Sequence, residues 1–73
     1  MNPYEVRARI RKAEQLAFIA WGHGFTPAEL ETFDETMWCM LATLAKVNKP
    51  GPVTRLMVKD RLYSLETKGA VAA

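Results

Sequence analysis

Hydrophobic and polar positions recur with helical spacing along three segments of the chain. The first segment has Pro3 near its start and Gly22 just after its last apolar position. Proline fits the first turn of a helix, and glycine readily adopts the left-handed conformation that ends one. The pattern predicts a helix over residues 3–21. Its apolar stripe consists of Val6, Ile10, Ala13, Ala17 and Ala20, flanked by Leu16 and Trp21.

The second segment opens with a capping box. Thr26 and Glu29 are three residues apart, with Pro27 at the first helical position, so the two side chains can satisfy each other's backbone N–H groups. We predict a helix over residues 27–47, within which Asp34 could cap a fresh helix. The apolar stripe of this segment consists of Leu30, Phe33, Met37, Met40, Leu41 and Leu44.

The third segment follows Lys49-Pro50-Gly51-Pro52, which cannot continue a helix. We predict a helix over residues 54–67 that ends before Gly69, followed by a flexible tail over residues 70–73. Its apolar residues fall on two faces, so the second face is either a dimer seam or a further core contact. One face carries Val53, Leu56, Met57 and Tyr63, and the other carries Val58, Leu62 and Leu65.

Size and composition fit an all-α fold, a compact bundle of three to four helices in one domain over residues 1–73. A chain of 73 residues, 49% of them hydrophobic, can build one small core but not two. The only cysteine is Cys39, which excludes an internal disulfide and suits a reducing cytoplasm. No run approaches the ~20 apolar residues of a membrane span, and no signal-peptide pattern is present, so we expect a cytoplasmic protein.

The candidate chemical groups do not predict an enzyme. His23 and Cys39 are the only residues of their types, and no neighbour in the sequence is placed to activate the thiol. The four glycines are scattered, so they form no phosphate-binding loop. We therefore expect no catalytic residue, cofactor, metal site or small-molecule ligand. Cys39 is expected to lie beneath a neighbouring helix, and His23 to lie in a loop.

Charge is distributed in blocks. Residues 1–24 carry a net charge of +2, residues 25–37 carry −4 and residues 38–73 carry +4. One interpretation is intramolecular, with an acidic helix start packed between two basic helices. A second concerns Arg7, Arg11, Tyr4 and Phe18, which lie opposite the first apolar stripe, because arginine beside exposed aromatic residues is typical of protein-binding hot spots. The alternative for these arginines is an ordinary solvated face in which one of them pairs with Glu14.

The segment over residues 58–71 resembles the end of the recognition helix in winged-helix repressors, where a helix closes with Leu-Glu-x-Lys-Gly-x-Val. This resemblance would place Thr54, Arg55, Lys59 and Arg61 near DNA. The sequence departs from the pattern because little room remains for a middle helix and for a wing hairpin. A small winged-helix-like DNA-binding repressor is therefore the alternative function.

Over its whole length, and above all in its opening Met-Asn-Pro-Tyr-Glu-Val-Arg-Ala-Arg-Ile-Arg-Lys, the chain resembles the small RNA-polymerase-binding transcription regulators of lytic Xanthomonas phages. The resemblance implies a non-enzymatic protein of the host cytoplasm. It implies binding to the N-terminal region of the polymerase β′ subunit, near the β flap and the RNA exit channel. The implied effects are inhibition of σ-dependent initiation by displacement of the sigma factor, and antitermination together with NusA.

For this function, we assign two sets of residues. Contact with the polymerase is assigned to Tyr4, Val6, Arg7, Arg9, Ile10 and Arg11, although Val6 and Ile10 also fit the core stripe. Proximity to RNA or DNA is assigned to Lys46, Lys49, Arg55 and Lys59. A third possibility, an antagonist of another host or defence protein, shares all of these features.

Overall fold

Four helices form the computed structural model, which describes residues 2–72 and the side chains of residues 2–68. The helices span Pro3–Gly22 (α1), Pro27–Glu31 (α2), Glu35–Ala45 (α3) and Pro52–Ala72 (α4). No strand occurs within the described range. The predicted all-α bundle of three to four helices is confirmed.

The first two helices begin as their sequences predict. The Asn2 side chain accepts a hydrogen bond from the backbone N–H of Glu5 at 2.9 Å, which satisfies a donor that the helix itself leaves free. At the start of α2, the N–H of Glu29 donates to Thr26 Oγ1 at 3.2 Å. The N–H of Thr26 donates to Glu29 Oε1 at 3.0 Å, which completes the capping box.

The predicted helix over residues 27–47 is interrupted, and the fresh cap at Asp34 is confirmed. Asp34 Oδ1 accepts from the N–H of Met37 at 2.9 Å and starts α3. Just before it, the Thr32 hydroxyl donates to the carbonyl of Glu29 at 2.7 Å, which closes α2 after five residues. The break allows the two helices to pack against different partners. α2 packs against α4, whereas α3 packs against α1.

The connections contain the two backbone positions that have positive φ. Gly24 lies between α1 and α2 with φ of +82°, the conformation that glycine adopts without steric cost. Lys46 ends α3 with φ of +59° and ψ of +41°, in the left-handed region that helix C-termini commonly use.

The last helix is longer than the predicted 54–67. It begins at Pro52 and continues through Gly69 to Ala72. A glycine inside a helix costs about 1 kcal/mol relative to alanine, which reduces helix stability without ending the helix. The predicted tail is therefore wrong for residues 70–72, and Ala73 lies outside the described residues.

The core lies where α1 meets α3 and α4. Small side chains dominate the α1 contribution, which lets the neighbouring helix axes approach closely. The core residues are Ala13, Leu16, Ala17 and Ala20 of α1, Leu30 of α2, Trp38, Leu41, Ala42 and Ala45 of α3, and Val58 and Leu62 of α4.

Several positions of the predicted apolar stripes lie at the surface. Val6 is exposed and Ile10 is half-buried, so their assignment to the core is wrong for Val6 and only partly right for Ile10. Met40 and Leu44 of α3 are also exposed.

α4 buries one of its two predicted apolar faces and leaves most of the other at the surface. Val58 and Leu62 are fully buried and Leu65 is half-buried, whereas Val53, Leu56 and Tyr63 are exposed and Met57 is half-buried.

Candidate protein-binding surface

The N-terminal part of α1 extends beyond the core. All side chains over residues 2–8 are exposed, and the first buried residue of the chain is Ala13. Tyr4 is 88% exposed. Residues 2–8 are exposed because α4 begins beside Ala8 and Lys12. The part of α1 that precedes Ala8 therefore extends past the start of α4. The start of α1 is therefore a free surface built on a regular, capped helix.

Three of the six residues predicted to contact the polymerase share one face of this free segment. Tyr4, Arg7 and Arg11 recur at helical spacing, and we call them the α1 ridge. Together with Pro3 and Ala8 they line an open hollow of about 420 Å³. The ridge therefore combines an aromatic ring and two guanidinium groups within two turns of helix.

The arginines of the ridge have no partner inside the protein. Within residues 2–68, neither Arg7 nor Arg11 forms an ion pair or a side-chain hydrogen bond. The predicted alternative, pairing with Glu14, does not occur. Glu14 instead receives Arg61 of α4, with 3.5 Å between Oε1 and Nη2.

The other three predicted contact residues lie outside the ridge. Val6 is exposed on the side of α1 that continues the apolar stripe, away from the ridge. Ile10 is half-buried and lines a hollow together with Ala13 and with Met57 and Asp60 of α4. Arg9 points to the opposite flank, where it faces the start of α4.

The residues predicted to lie near nucleic acid are mostly engaged within the protein. Lys49 and Arg55 both contact Glu35, with 2.8 Å to Oε2 in each case. Lys59 pairs with Glu31 at 3.1 Å. Only Lys46 of the four forms no ion pair among the described residues. These pairs match the intramolecular interpretation of the charge blocks, because carboxylates of the acidic block, Glu31 and Glu35, neutralise basic residues of the third segment.

Arg55 is the centre of this internal charge cluster. Its Nη1 and Nη2 donate to the two oxygens of Glu35 at 2.8 Å each, and its Nε donates to the carbonyl of Pro50 at 2.9 Å. Its guanidinium lies over the Trp38 ring, 5.4 Å from the ring centre. The hydrogen bonds from Arg55 and then from Lys49 lower the pKa of the Glu35 carboxyl to about 2. Arg55 is therefore a structural residue that joins α3 to α4.

The four side chains that the winged-helix resemblance would place near DNA are not presented together as a free surface. Thr54 is buried, with 6% of its surface exposed. Arg55, Lys59 and Arg61 are held by carboxylates of α3, α2 and α1 respectively. Because residues 2–72 contain no strand, this range also lacks a wing hairpin.

The single cysteine and the single histidine both lie at the surface. Cys39 is exposed, so its predicted position beneath a neighbouring helix is wrong. His23 lies in the turn after α1, as predicted. No cluster of three potential metal ligands occurs among the residues that the structure describes.

No helix in the described part of the chain is both long enough and apolar enough to cross a membrane.

Sequence reasoning missed two features of the basic and aromatic surface. Lys12 is half-buried beside the start of α4 and was not among the predicted site residues. Its spacing of three residues from Arg9 is the signal that places both on one flank. Trp21 was assigned to the edge of the core stripe, yet it is partly exposed and packs edge-to-face on exposed Phe18, with 5.9 Å between ring centres.

No protein-family model, no curated protein and no solved structure matches this chain.

Proposed function

We propose that the protein is a non-enzymatic regulator of transcription that acts by binding bacterial RNA polymerase directly. The observation that carries the proposal is the α1 ridge, where Tyr4, Arg7 and Arg11 are exposed and the two arginines form no ion pair within residues 2–68. The polymerase as target comes from the resemblance of the opening sequence to phage regulators of this kind, and that same opening forms the ridge.

The chemistry of the ridge suits a protein partner. Tyrosine and arginine are the residues that most often dominate the binding energy of protein interfaces, because they combine large contact area with hydrogen-bonding groups. An arginine can also form two parallel hydrogen bonds to a carboxylate. Since the ridge stands on a capped helix, its backbone is already ordered, and the entropy lost on binding is confined to the exposed side chains.

The remaining steps of the proposal follow the resemblance. The binding site is the N-terminal region of β′ near the β flap and the RNA exit channel, where an occupant interferes with the sigma factor and can act with NusA on termination. Direct contact with RNA is a smaller part of the proposal, because Lys46 is the only one of the four residues assigned to it that lacks an internal ion pair within residues 2–68. A DNA-binding repressor is not favoured, since Thr54 is buried and Arg55, Lys59 and Arg61 are held in ion pairs.

The test is retention of purified polymerase core and holoenzyme on the immobilised protein at about 0.15 M and about 0.5 M salt, a range over which surface charges become strongly screened. We expect core to be retained at both salt concentrations and the sigma factor to be lost from the holoenzyme. Absence of retention at both concentrations would show that polymerase is not the target.

The ridge itself is tested by the double variant Arg7→Glu/Arg11→Glu. We expect at least about a tenfold loss of affinity for polymerase, because truncation of an arginine hot spot alone costs about 2 kcal/mol. Gln15→Glu/Thr36→Glu/Lys68→Glu is the matched control, since it changes the net charge by the same four units at exposed side chains outside the ridge. Circular dichroism should show the same melting temperature for both variants to within a few degrees. Equal affinity of the two variants would remove the ridge from the interface.

A further inference from the structure

A groove runs between α1 and the start of α4, on the flank of α1 opposite Ile10. Ala8, Arg9 and Lys12 form one wall, and the segment from Gly51 to Thr54 forms the other. The two helices run in the same direction, because Lys12 lies beside the start of α4 and Glu14 reaches Arg61 further along it. We call this the α1–α4 groove. Its volume is about 420 Å³, and it is open to solvent along its length.

The charges in the groove are not balanced. Four basic side chains of the protein are half-buried, namely Arg9, Lys12, Arg55 and Lys59. The two on α4 each contact a carboxylate at 2.8 to 3.1 Å. Neither Arg9 nor Lys12 forms an ion pair or side-chain hydrogen bond with any other residue in the range 2–68. Arg9 and Lys12 therefore place two positive charges on the groove wall that no carboxylate within residues 2–68 neutralises, so this groove favours an occupant that brings carboxylates.

The groove also offers an apolar contact. Val53 on its α4 wall is exposed, and Leu56 lies one turn further along the same exposed face of α4. An occupant that places carboxylates against Arg9 and Lys12 therefore meets two aliphatic side chains as it leaves the groove. No aromatic residue lines the groove, so it lacks the flat stacking surface on which single-stranded nucleic acids bind.

We infer that the α1–α4 groove binds an acidic, apolar peptide segment of a partner protein. The inference depends on the groove and its unpaired cations, and it does not require that RNA polymerase be the partner. Carboxylates of the segment pair with Arg9 and Lys12, and its aliphatic side chains pack on Val53 and Leu56. The groove and the α1 ridge meet at Ala8, which lines both hollows, so one partner can occupy both surfaces.

The test is a titration of the full-length ¹⁵N-labelled protein with a blocked hexapeptide of four acidic residues and two leucines, followed by amide chemical shifts. We expect saturable shifts at Arg9, Lys12 and Val53, with a dissociation constant of about 1 mM or tighter. The same peptide with amides in place of its carboxylates should bind at least about tenfold more weakly. Shifts that fall only on Tyr4, Arg7 and Arg11, or no shifts at all, would overturn the inference.

Two variants of Gly51 separate binding from folding. A side chain at Gly51 meets no atom within 4 Å, and Gly51 precedes α4 as a cap that lacks a side-chain acceptor. Gly51→Ser and Gly51→Asp both supply that acceptor, so both should fold at least as stably as the parent protein. Only Gly51→Asp places a negative charge in the groove, and we expect it to weaken peptide binding at least about tenfold relative to Gly51→Ser. Equal binding by the two variants would refute the assigned site.

A final comparison uses oligouridylate, a polyanion without apolar side chains. Because the proposal assigns part of the binding to Val53 and Leu56, the peptide should bind at least about tenfold more tightly than oligouridylate at the same salt concentration. Equal or tighter binding of oligouridylate, with shifts in the same groove, would identify the groove as a nucleic-acid contact and overturn the peptide assignment. Loss of polymerase retention with normal peptide binding would refute the proposed function and leave this inference intact.

Discussion

Two leucines of α4 allow a direct test of how this helix is oriented. Leu62 is fully buried, whereas 62% of the Leu56 surface is exposed. Both lie inside the same helix, six residues apart, so replacing each with alanine changes helix propensity by the same small amount. Any difference between Leu62→Ala and Leu56→Ala therefore reports their difference in packing.

The expected difference is large relative to the stability of so small a domain. Replacing a buried leucine with alanine removes its transfer free energy and leaves a cavity, at a cost of about 2–5 kcal/mol. A chain of 73 residues has a total free energy of unfolding of roughly 4–11 kcal/mol, at about 0.05–0.15 kcal/mol per residue. Leu62→Ala should thus remove about a fifth or more of the stability, whereas Leu56→Ala should change it by less than about 0.5 kcal/mol.

Thermal unfolding followed by far-ultraviolet circular dichroism measures the effect. For a domain of this size, 1 kcal/mol corresponds to a shift of roughly 4–8 °C in Tm. We therefore expect Leu62→Ala to lower Tm by at least about 8 °C and Leu56→Ala to change it by less than about 4 °C. Similar shifts for both variants, or a larger one for Leu56→Ala, would show that the packed face of α4 has been assigned incorrectly.

Three further predictions concern the local interactions. The pKa of Glu35 is lowered from 4.5 to about 2 by its contacts with Arg55 and Lys49. The stabilisation from these contacts is therefore complete above pH 4.5 and is lost as the pH falls through 2. Between these two pH values, Tm should fall more in the parent protein than in Glu35→Gln. Asp34→Ala should lower the free energy of unfolding in urea by about 0.5–2 kcal/mol, because the α3 cap is lost, and Asp34→Asn should lower it much less. Equal losses in the two variants would argue against capping. Cys39 should react with Ellman's reagent as completely in the native protein as in urea, and a thiol that reacts only after unfolding would contradict its exposure.

Features that depend on neighbouring residues could be predicted from the sequence. The caps at Asn2 and Thr26 use side chains three residues from the N–H groups they satisfy, and the structure contains both. Asp34 marked a possible helix start, but its apolar neighbours equally fitted one long helix. The tertiary structure decides between one long helix and two short ones, because α2 packs against α4 whereas α3 packs against α1.

Features that depend on distant contacts could not be predicted. The sequence places Glu35 in an acidic block and Arg55 in a basic block, twenty residues apart, but only the tertiary structure shows that these two side chains pair. Likewise, Val6 continues a regular apolar stripe, and its exposure follows from the point along α1 at which α4 begins. The sequence could thus nominate the start of α1 as a candidate site, whereas the division of that surface into a ridge and a separate groove depends on the position of α4.

The projection of α1 beyond the core separates two kinds of selective constraint within one helix. Substitutions from Ala13 onward are limited by the packing of alanines and leucines in the core. Residues 4–8, in contrast, are exposed and do not belong to the core. Exposed positions of this kind usually tolerate change within about 0.5 kcal/mol. Substitutions at residues 4–8 can therefore change which partner the protein binds without changing its fold. A very small domain can in this way acquire a new binding partner at little cost in stability.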